Sequence, residues 1–168
     1  MDSTTVNDQE GLSLARCPNL VLLLNTPKGR GVYASAFIPS GTILETCPVL
    51  VLDQVENKAH IEKTELYHYT YNWPLSASIN DLSKDNRVTQ AVVLGLGSMF
   101  NHSTQHQNVG WTRDISRQLI TYRALRDIQS GEELCISYGS RLTFIDADAP
   151  EPEDEGDGSE LLGSIELG

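Results

Sequence analysis

Residues 94–108 read LGLGSMFNHSTQHQN, the densest cluster of chemically special residues in the chain. Four readings compete for this stretch. A dinucleotide loop needs G-x-G-x-x-G between a strand and a long helix. Here Gly95 and Gly97 are not followed by a third glycine, and no helix-length periodic segment comes next. A zinc pair from His102 and His106 needs a third ligand, and usually a helix to bring i and i+4 onto one face. The segment is instead full of turn formers, and no Glu stands at the zincin spacing. The sequon Asn101-His102-Ser103 matters only in a secreted protein, and nothing points to secretion. What remains is a polar loop between two apolar strands, whose Asn and His side chains can hydrogen-bond to backbone or to a ligand. No metal site is expected.

The chain around it has 168 residues, enough for one domain with a hydrophobic core. The longest aliphatic run, LVLLL at 20–24, is strand-length, far below the roughly 20 residues of a membrane helix. No membrane association is expected, and the protein reads as soluble and intracellular. The net charge of −11 belongs to the ends. Residues 146–168 hold nine acids and no Lys or Arg, and residues 1–15 add three acids and no base. The middle, 16–145, has 12 basic and 11 acidic residues. A tail reading APEPEDEGDGSE is too polar to bury anything, so it is expected to be solvated and disordered. It is also suited to attracting a basic partner at long range. Nucleic acid is a poor candidate, because phosphate binding wants clustered Lys and Arg. Cys17, Cys47 and Cys135 are far apart and form no CxxC, so reduced, mostly buried thiols are expected.

Short strands are predicted at LVLLL, GVYAS, TILET, PVLVL, AVVLG, VGWTRDI and QLITYRAL, from their branched and aliphatic content. Residues 54–66 are the best helix candidate, and 74–90 read as a surface loop. One internal echo stands out. IPSGTIL at 38–44 and IQSGEEL at 128–134 share I-x-S-G-x-x-L. Two unrelated turns can look alike by chance. A pseudo-symmetric pair of β units would also produce the pattern, and would suit a fold of small curled sheets.

Three ordered segments then resemble the SET-domain lysine methyltransferases. Lys28-Gly29-Arg30-Gly31-Val32-Tyr33-Ala34 looks like the family's N-terminal G-x-G cofactor motif. Gly97-Ser98-Met99-Phe100-Asn101-His102-Ser103 looks like its Asn-His-Ser motif. Gly131-Glu132-Glu133-Leu134-Cys135-Ile136-Ser137-Tyr138-Gly139 looks like its G-E-E-L…Y-G motif. The likeness covers about residues 22–145, and is nearest to small fungal and microbial SET proteins without flanking zinc segments. It implies a mostly β fold, the SET-domain β-clip of small curled sheets with short helices and a C-terminal knot-like crossing. The implied organisation is an N-terminal extension at 1–18, a SET domain at 19–145 and the acidic tail at 146–168. Two departures are visible. The family's Asn-His-Ser-x-x-Pro-Asn gains one residue here and lacks the proline before Asn108, and Ser137 replaces the usual Asp before the catalytic Tyr.

The resemblance implies transfer of a methyl group from S-adenosylmethionine to a protein lysine, with S-adenosylhomocysteine as product. Lys28, Gly29, Arg30, Gly31, Tyr33, Asn101 and His102 are then expected at the cofactor. Phe144, the only aromatic residue after Tyr138, would cover the adenine or simply pack in the core. Tyr138 is the candidate catalytic residue, acting by orientation and electrostatics. Trp111 falls where the family often carries a Phe or Tyr that limits how many methyl groups fit, which predicts mainly mono- or dimethylation. Tyr69 and Tyr71 are expected in the substrate channel or in strand packing. The implied substrate is a basic protein, a histone tail or nucleosome with histone H3 the first candidate, and the implied location is the nucleus. A homodimer would complete the substrate wall. The rival readings are a methyltransferase for a non-histone protein and a SET-like chromatin scaffold without catalysis.

Overall fold

The computed structural model describes residues 11–75 and 88–137. Nine strands are the main regular elements among them. β1 (Leu20–Thr26) and β2 (Gly29–Ala34) form an antiparallel hairpin. β3 (Ile43–Val51) is the centre of a five-stranded antiparallel sheet with β4 (Thr70–Pro74), β5 (Val88–Val93), β7 (Val109–Asp114) and β8 (Leu119–Ala124), ordered β4-β5-β3-β8-β7. Two short strands, β6 (Asn101–His102) and β9 (Cys135–Ile136), pair in parallel. The one α-helix among the described residues is α1 (Gln54–Ala59). The fold is therefore mostly β, in small separate sheets, as expected. No helix among the described residues is long and apolar enough to cross a membrane.

The core lies where these sheets meet. Val32 of β2, Leu44 and Cys47 of β3, and Ile120 and Tyr122 of β8 are buried together with Ile38, Phe100, Ile128, Leu134 and Ile136. Phe100 meets Tyr122 edge to face, with centroids 5.1 Å apart, the arrangement that aromatic quadrupoles favour.

The I-x-S-G-x-x-L echo is a real pseudo-symmetry. Ile38 and Ile128 form an antiparallel bridge and exchange both backbone hydrogen bonds at 2.9 Å. Gly41 N–H donates to Ala124 O, and Gly131 N–H donates to Ala34 O. Ala124 N–H donates to Thr42 O, and Ala34 N–H to Glu132 O. Each half thus closes the strand end of the other. Both glycines have positive φ, +78° and +84°, which explains the glycine in each copy.

Three local expectations are corrected. TILET and PVLVL are one strand, not two. Pro48 sits where β3 passes from pairing with β8 (43–48) to pairing with β5 (49–51), so its missing N–H falls at the hand-over. The 54–66 helix stops at Ala59 and continues as two 3-10 turns, Ile61–Lys63 and Glu65–Tyr69. Asp53 caps α1 well, accepting from Val55 N and Glu56 N at 2.8 and 3.0 Å. However, Val55 and Leu66 are exposed, so no apolar stripe carries the helix further. Finally, Val88–Gln90 belong to β5, not to a loop. Gln90 and Asn72 pair their amides at 2.8 Å on the open face, and such polar residues hide the strand signal.

Within the N-terminal extension, residues 15–17 run beside β3. Cys17 N–H donates to Leu44 O, and Thr46 N–H donates to Ala15 O.

Candidate active site

The three motifs meet at one place. Gly29 takes a left-handed conformation (φ +86°) that turns the chain from β1 into β2. β2 then carries Gly31 beneath Asn101 and Glu133. A Cβ at Gly31 would stand 2.7 Å from Glu133 Oε1 and 2.9 Å from Asn101 Nδ2, closer than real contacts allow. The Asn101 amide donates to Glu133 Oε1 at 2.7 Å and to Arg30 O at 3.1 Å. Tyr33 forms a backbone bridge with Glu133. Burial, and then the Glu133 carboxylate, raise the Tyr33 phenol above its ordinary pKa. Lys28 occupies the exposed turn, its N–H donating to Thr26 Oγ1 at 3.2 Å.

The second and third motifs are joined by the β6–β9 pair. Ser103 N–H donates to Ile136 O, and Asn108 N–H donates to Cys135 O, each at 3.1 Å. The Asn108 side chain, 1% exposed, accepts from Cys135 N at 2.8 Å and donates to Glu133 O at 2.7 Å and Glu132 Oε1 at 3.2 Å. The irregular loop between 103 and 108 closes through His106 N–H, which donates to Ser103 Oγ at 2.9 Å. His102 is buried, with its Nε2 3.0 Å from Thr104 Oγ1.

A cavity of about 210 Å³ opens beside this junction. Its walls include Tyr69, Tyr71, Trp111, Arg113, Ser98 and Ser137. Tyr69 ends the 3-10 turn, and its hydroxyl lies 3.5 Å from Arg30 Nη2. Tyr71, on β4, donates its hydroxyl to Gly97 O at 3.0 Å. It also meets the Trp111 ring edge-on, at 5.6 Å and 89°. Gly97 has to be glycine because a Cβ there would overlap the Tyr122 ring. Burial pushes the Tyr122 phenol far above its ordinary pKa, so it stays a neutral wall behind the cavity.

The structure therefore gathers Arg30, Gly31, Tyr33 and Asn101 at one junction and Tyr69, Tyr71 and Trp111 in one cavity next to it. Tyr138 and Phe144 lie outside the described residues. Among the described residues no group of three or more His, Cys, Asp or Glu could hold a metal ion. Four contributors were not singled out from sequence. Glu133 and Asn108 tie the motifs together, Arg113 lines the cavity, and Glu45 braces it from behind. Glu45 is 4% exposed, accepts from Leu96 N at 2.8 Å and pairs with Arg16. Glu133 and Asn108 fall inside the motifs themselves, whereas Glu45 and Arg113 lie in strands whose sequence does not mark them.

Residues 29–139 match the SET domain family. A Schizosaccharomyces pombe protein named "Histone-lysine N-methyltransferase, H3 lysine-37 specific" is 44% identical over 119 residues, 71% of this chain and 72% of that one. Two solved structures share the fold. CpSET8 from Cryptosporidium is 20% identical, with a TM-score of 0.54 over 73% of this chain and 58% of that one. ATXR5 in complex with histone H3.1 is 18% identical, with a TM-score of 0.55 over 79% of this chain and 62% of that one.

Proposed function

Because this chain belongs to the SET-domain family of protein-lysine methyltransferases, we propose that it transfers a methyl group from S-adenosylmethionine to a lysine of histone H3. The observation that carries the reading is the convergence of Gly31, Asn101 and Glu133 beside a cavity walled by Tyr69, Tyr71, Trp111 and Ser137. The named substrate of the fission yeast relative supports histone H3 as the target, and chromatin, hence the nucleus, as the place of action.

Gly31 fits a cofactor cradle, since an added Cβ would displace the Asn101 amide and the Glu133 carboxylate from their hydrogen bond. Lys28, Gly29, Arg30, Gly31 and Tyr33 would hold the methionine end, with Asn101 and His102 beside them and Phe144 over the adenine. Bound S-adenosylmethionine would supply a methyl group on a positively charged sulfur. The chain's own task is to deliver a neutral amine in line with it. A free lysine has a pKa of about 10.4 and is almost wholly charged at neutral pH. Desolvation between Tyr69, Tyr71 and Trp111 disfavours the charged form. A narrow aromatic channel also fixes the approach, which supplies several kcal/mol of the barrier. The Tyr138 hydroxyl would orient the amine and stabilise developing charge.

The test is incubation of the full chain with S-adenosylmethionine and core histones or nucleosomes, with methylated lysines read by mass spectrometry. Site-specific methylation of H3 that falls sharply in Tyr138→Phe is expected. Cofactor binding without histone methylation would redirect the reading to a non-histone substrate. Loss of both would leave a SET-like scaffold. The acidic tail and a second copy of the chain are the candidate aids to substrate capture. Truncation near Ala147 should weaken activity at low salt and leave it unchanged at high salt.

A further inference from the structure

We infer that Arg113 is a positioning residue of the substrate channel, one that favours the neutral, reactive form of the incoming lysine by placing a fixed positive charge in the wall. The inference rests on the lysine methyltransferase reading above and names a residue that reading does not require.

The argument starts from β7, where residues two apart share a face. Trp111 and Arg113 both line the cavity. The Arg113 guanidinium carbon lies 4.4 Å from the Trp111 ring centroid, a cation–π stack that holds the charge in place. Trp111 in turn stands edge-on to Tyr71. The charge is therefore one aromatic ring away from the path of the substrate side chain.

Arg16, Arg117 and Arg126 are paired with Glu45, Asp114 and Glu132. Arg113 shares with Arg30 and Arg123 the lack of a carboxylate partner among the described residues, and of these three it is the one that lines the cavity. No Asp or Glu among the described residues lines the cavity. The titratable groups facing it are Tyr67, His68 and Tyr69 from the 3-10 turn, Tyr71 from β4 and Arg113 from β7, with Tyr122 of β8 behind and the Arg30 guanidinium of β2 3.5 Å from the Tyr69 hydroxyl. Arg113 is the one Lys or Arg among the described lining residues. Desolvation lowers the pKa of Arg113 itself from its ordinary value, as expected of a cation held partly out of water without an anion.

A positive charge several ångströms from an amine destabilises its ammonium form. At a partly exposed site the shift is about one pH unit. The step it promotes is loss of a proton from the substrate ammonium to water. The free lone pair then attacks the methyl carbon while the carbon–sulfur bond breaks toward sulfur. A carboxylate at this position would do the reverse, binding the ammonium tightly and keeping it unreactive.

The test is the pH dependence of kcat for the full chain with saturating H3 tail peptide, which reports groups in the bound complex, comparing wild type with Arg113→Gln and Arg113→Lys. Cofactor affinity is measured in parallel as a check of folding. Arg113→Gln should raise the apparent pKa for substrate deprotonation by about one unit. Its kcat near pH 8 then falls about tenfold, and the two profiles converge at high pH. Arg113→Lys keeps the charge and should keep the wild-type pKa. If Arg113→Gln does not fold, Arg113→Met, which retains packing on Trp111, takes its place. A neutral variant whose profile is lowered equally at every pH, or shows only a raised KM, would overturn the inference in favour of a structural or contact role. A wild-type chain that methylates no lysine would overturn the underlying reading, and this inference with it.

Discussion

Gly31 lies so close beneath Asn101 that a single added methyl group would reach 2.9 Å from Nδ2 and 2.7 Å from Glu133 Oε1. That relationship ties the first motif to the second and third. Gly31→Ala should push the Asn101 amide off Glu133 and out of the cradle. Overpacking of this kind costs about 1–3 kcal/mol. The expected result is a fall in S-adenosylmethionine affinity of at least about tenfold, read by calorimetry, with a lowered Tm. Gly29→Ala is the control. It meets nothing within 4 Å and suffers only the strain of φ +86°, about 1 kcal/mol. Its effect on affinity should be clearly smaller.

Asn108 predicts a loss of stability more than of chemistry. Its buried amide serves Cys135 N, Glu133 O and Glu132 Oε1 at once. Asn108→Ala leaves the first two backbone groups without that partner, at a cost of about 1–3 kcal/mol each when fully buried. A drop of several degrees in Tm is expected. Asn108→Asp should be no better, because it exchanges the donating amide for a charge beside Glu132. A Tm within one degree of wild type for either variant would show that β9 does not depend on this side chain.

The segment joining β6 to β9 shows where the sequence was legible and where it was not. The I-x-S-G-x-x-L echo could be seen because positive φ at Gly41 and Gly131 restricts which residues fit. The three motifs were visible because close backbone approach demands glycine and the junction demands Asn101. Asn108 is visible in the sequence as the closing Asn of the second motif, but its bridging contacts are not. Its partners are three residues more than twenty positions away, and no local pattern encodes such a contact. Pro48 misled for a related reason, since a proline inside β3 is tolerated only because the strand changes partner there. The aromatic run at 65–73 lines part of the cavity, and its division into a 3-10 turn and a strand follows from tertiary packing, which overrides local propensity.

The Arg126–Glu132 pair gives a pH dependence with a definite sign. Its hydrogen bond with Arg126, helped by Gln129 N–H and Asn108, holds the Glu132 carboxyl at about 2 against an ordinary 4.5. A carboxylate depressed on folding stabilises the protein above its unfolded pKa, and that contribution is lost as pH falls from about 4.5 toward about 2. Arg126 is 48% exposed, so solvent screening keeps the contribution below about 1 kcal/mol. Arg126→Gln should lower the urea midpoint at pH 6 and converge on wild type near pH 2. Equal differences at both pH values would assign the effect to packing rather than charge.

Glu45 predicts that the N-terminal segment matters to the channel. Arg16 covers the Glu45 carboxylate, which in turn holds Leu96 N–H. The adjoining Gly97 carbonyl receives the Tyr71 hydroxyl. Removing residues 1–17 would take away the Glu45 counter-ion together with the backbone hydrogen bonds that Ala15 and Cys17 make to β3; since Arg16 is 57% exposed, the ion pair itself contributes at most about 1 kcal/mol. The truncated chain should therefore be less stable and show a raised KM for the peptide. Adding Glu45→Gln to the truncation should restore part of the stability, because Gln still accepts from Leu96 without a buried charge. A truncated chain with unchanged Tm and KM would show that the brace is dispensable.

Trp111 sets the last prediction, the number of methyl groups added. Its indole fills the cavity wall between Tyr71 and Arg113. The Tyr71 hydroxyl is committed to Gly97 O. Each added methyl group enlarges the substrate head and removes one N–H, so a filled channel stops the reaction early for steric reasons. Trp111→Phe removes the larger ring system and opens the wall while keeping an aromatic edge for Tyr71. The variant should shift products toward higher methylation, read as the ratio of mono-, di- and trimethyl-lysine by mass spectrometry at equal turnover. Tyr71→Phe, which frees the Gly97 carbonyl without enlarging the space, should slow the enzyme and leave that ratio unchanged. An altered ratio in Tyr71→Phe together with an unaltered one in Trp111→Phe would move the limit on product size from Trp111 to Tyr71.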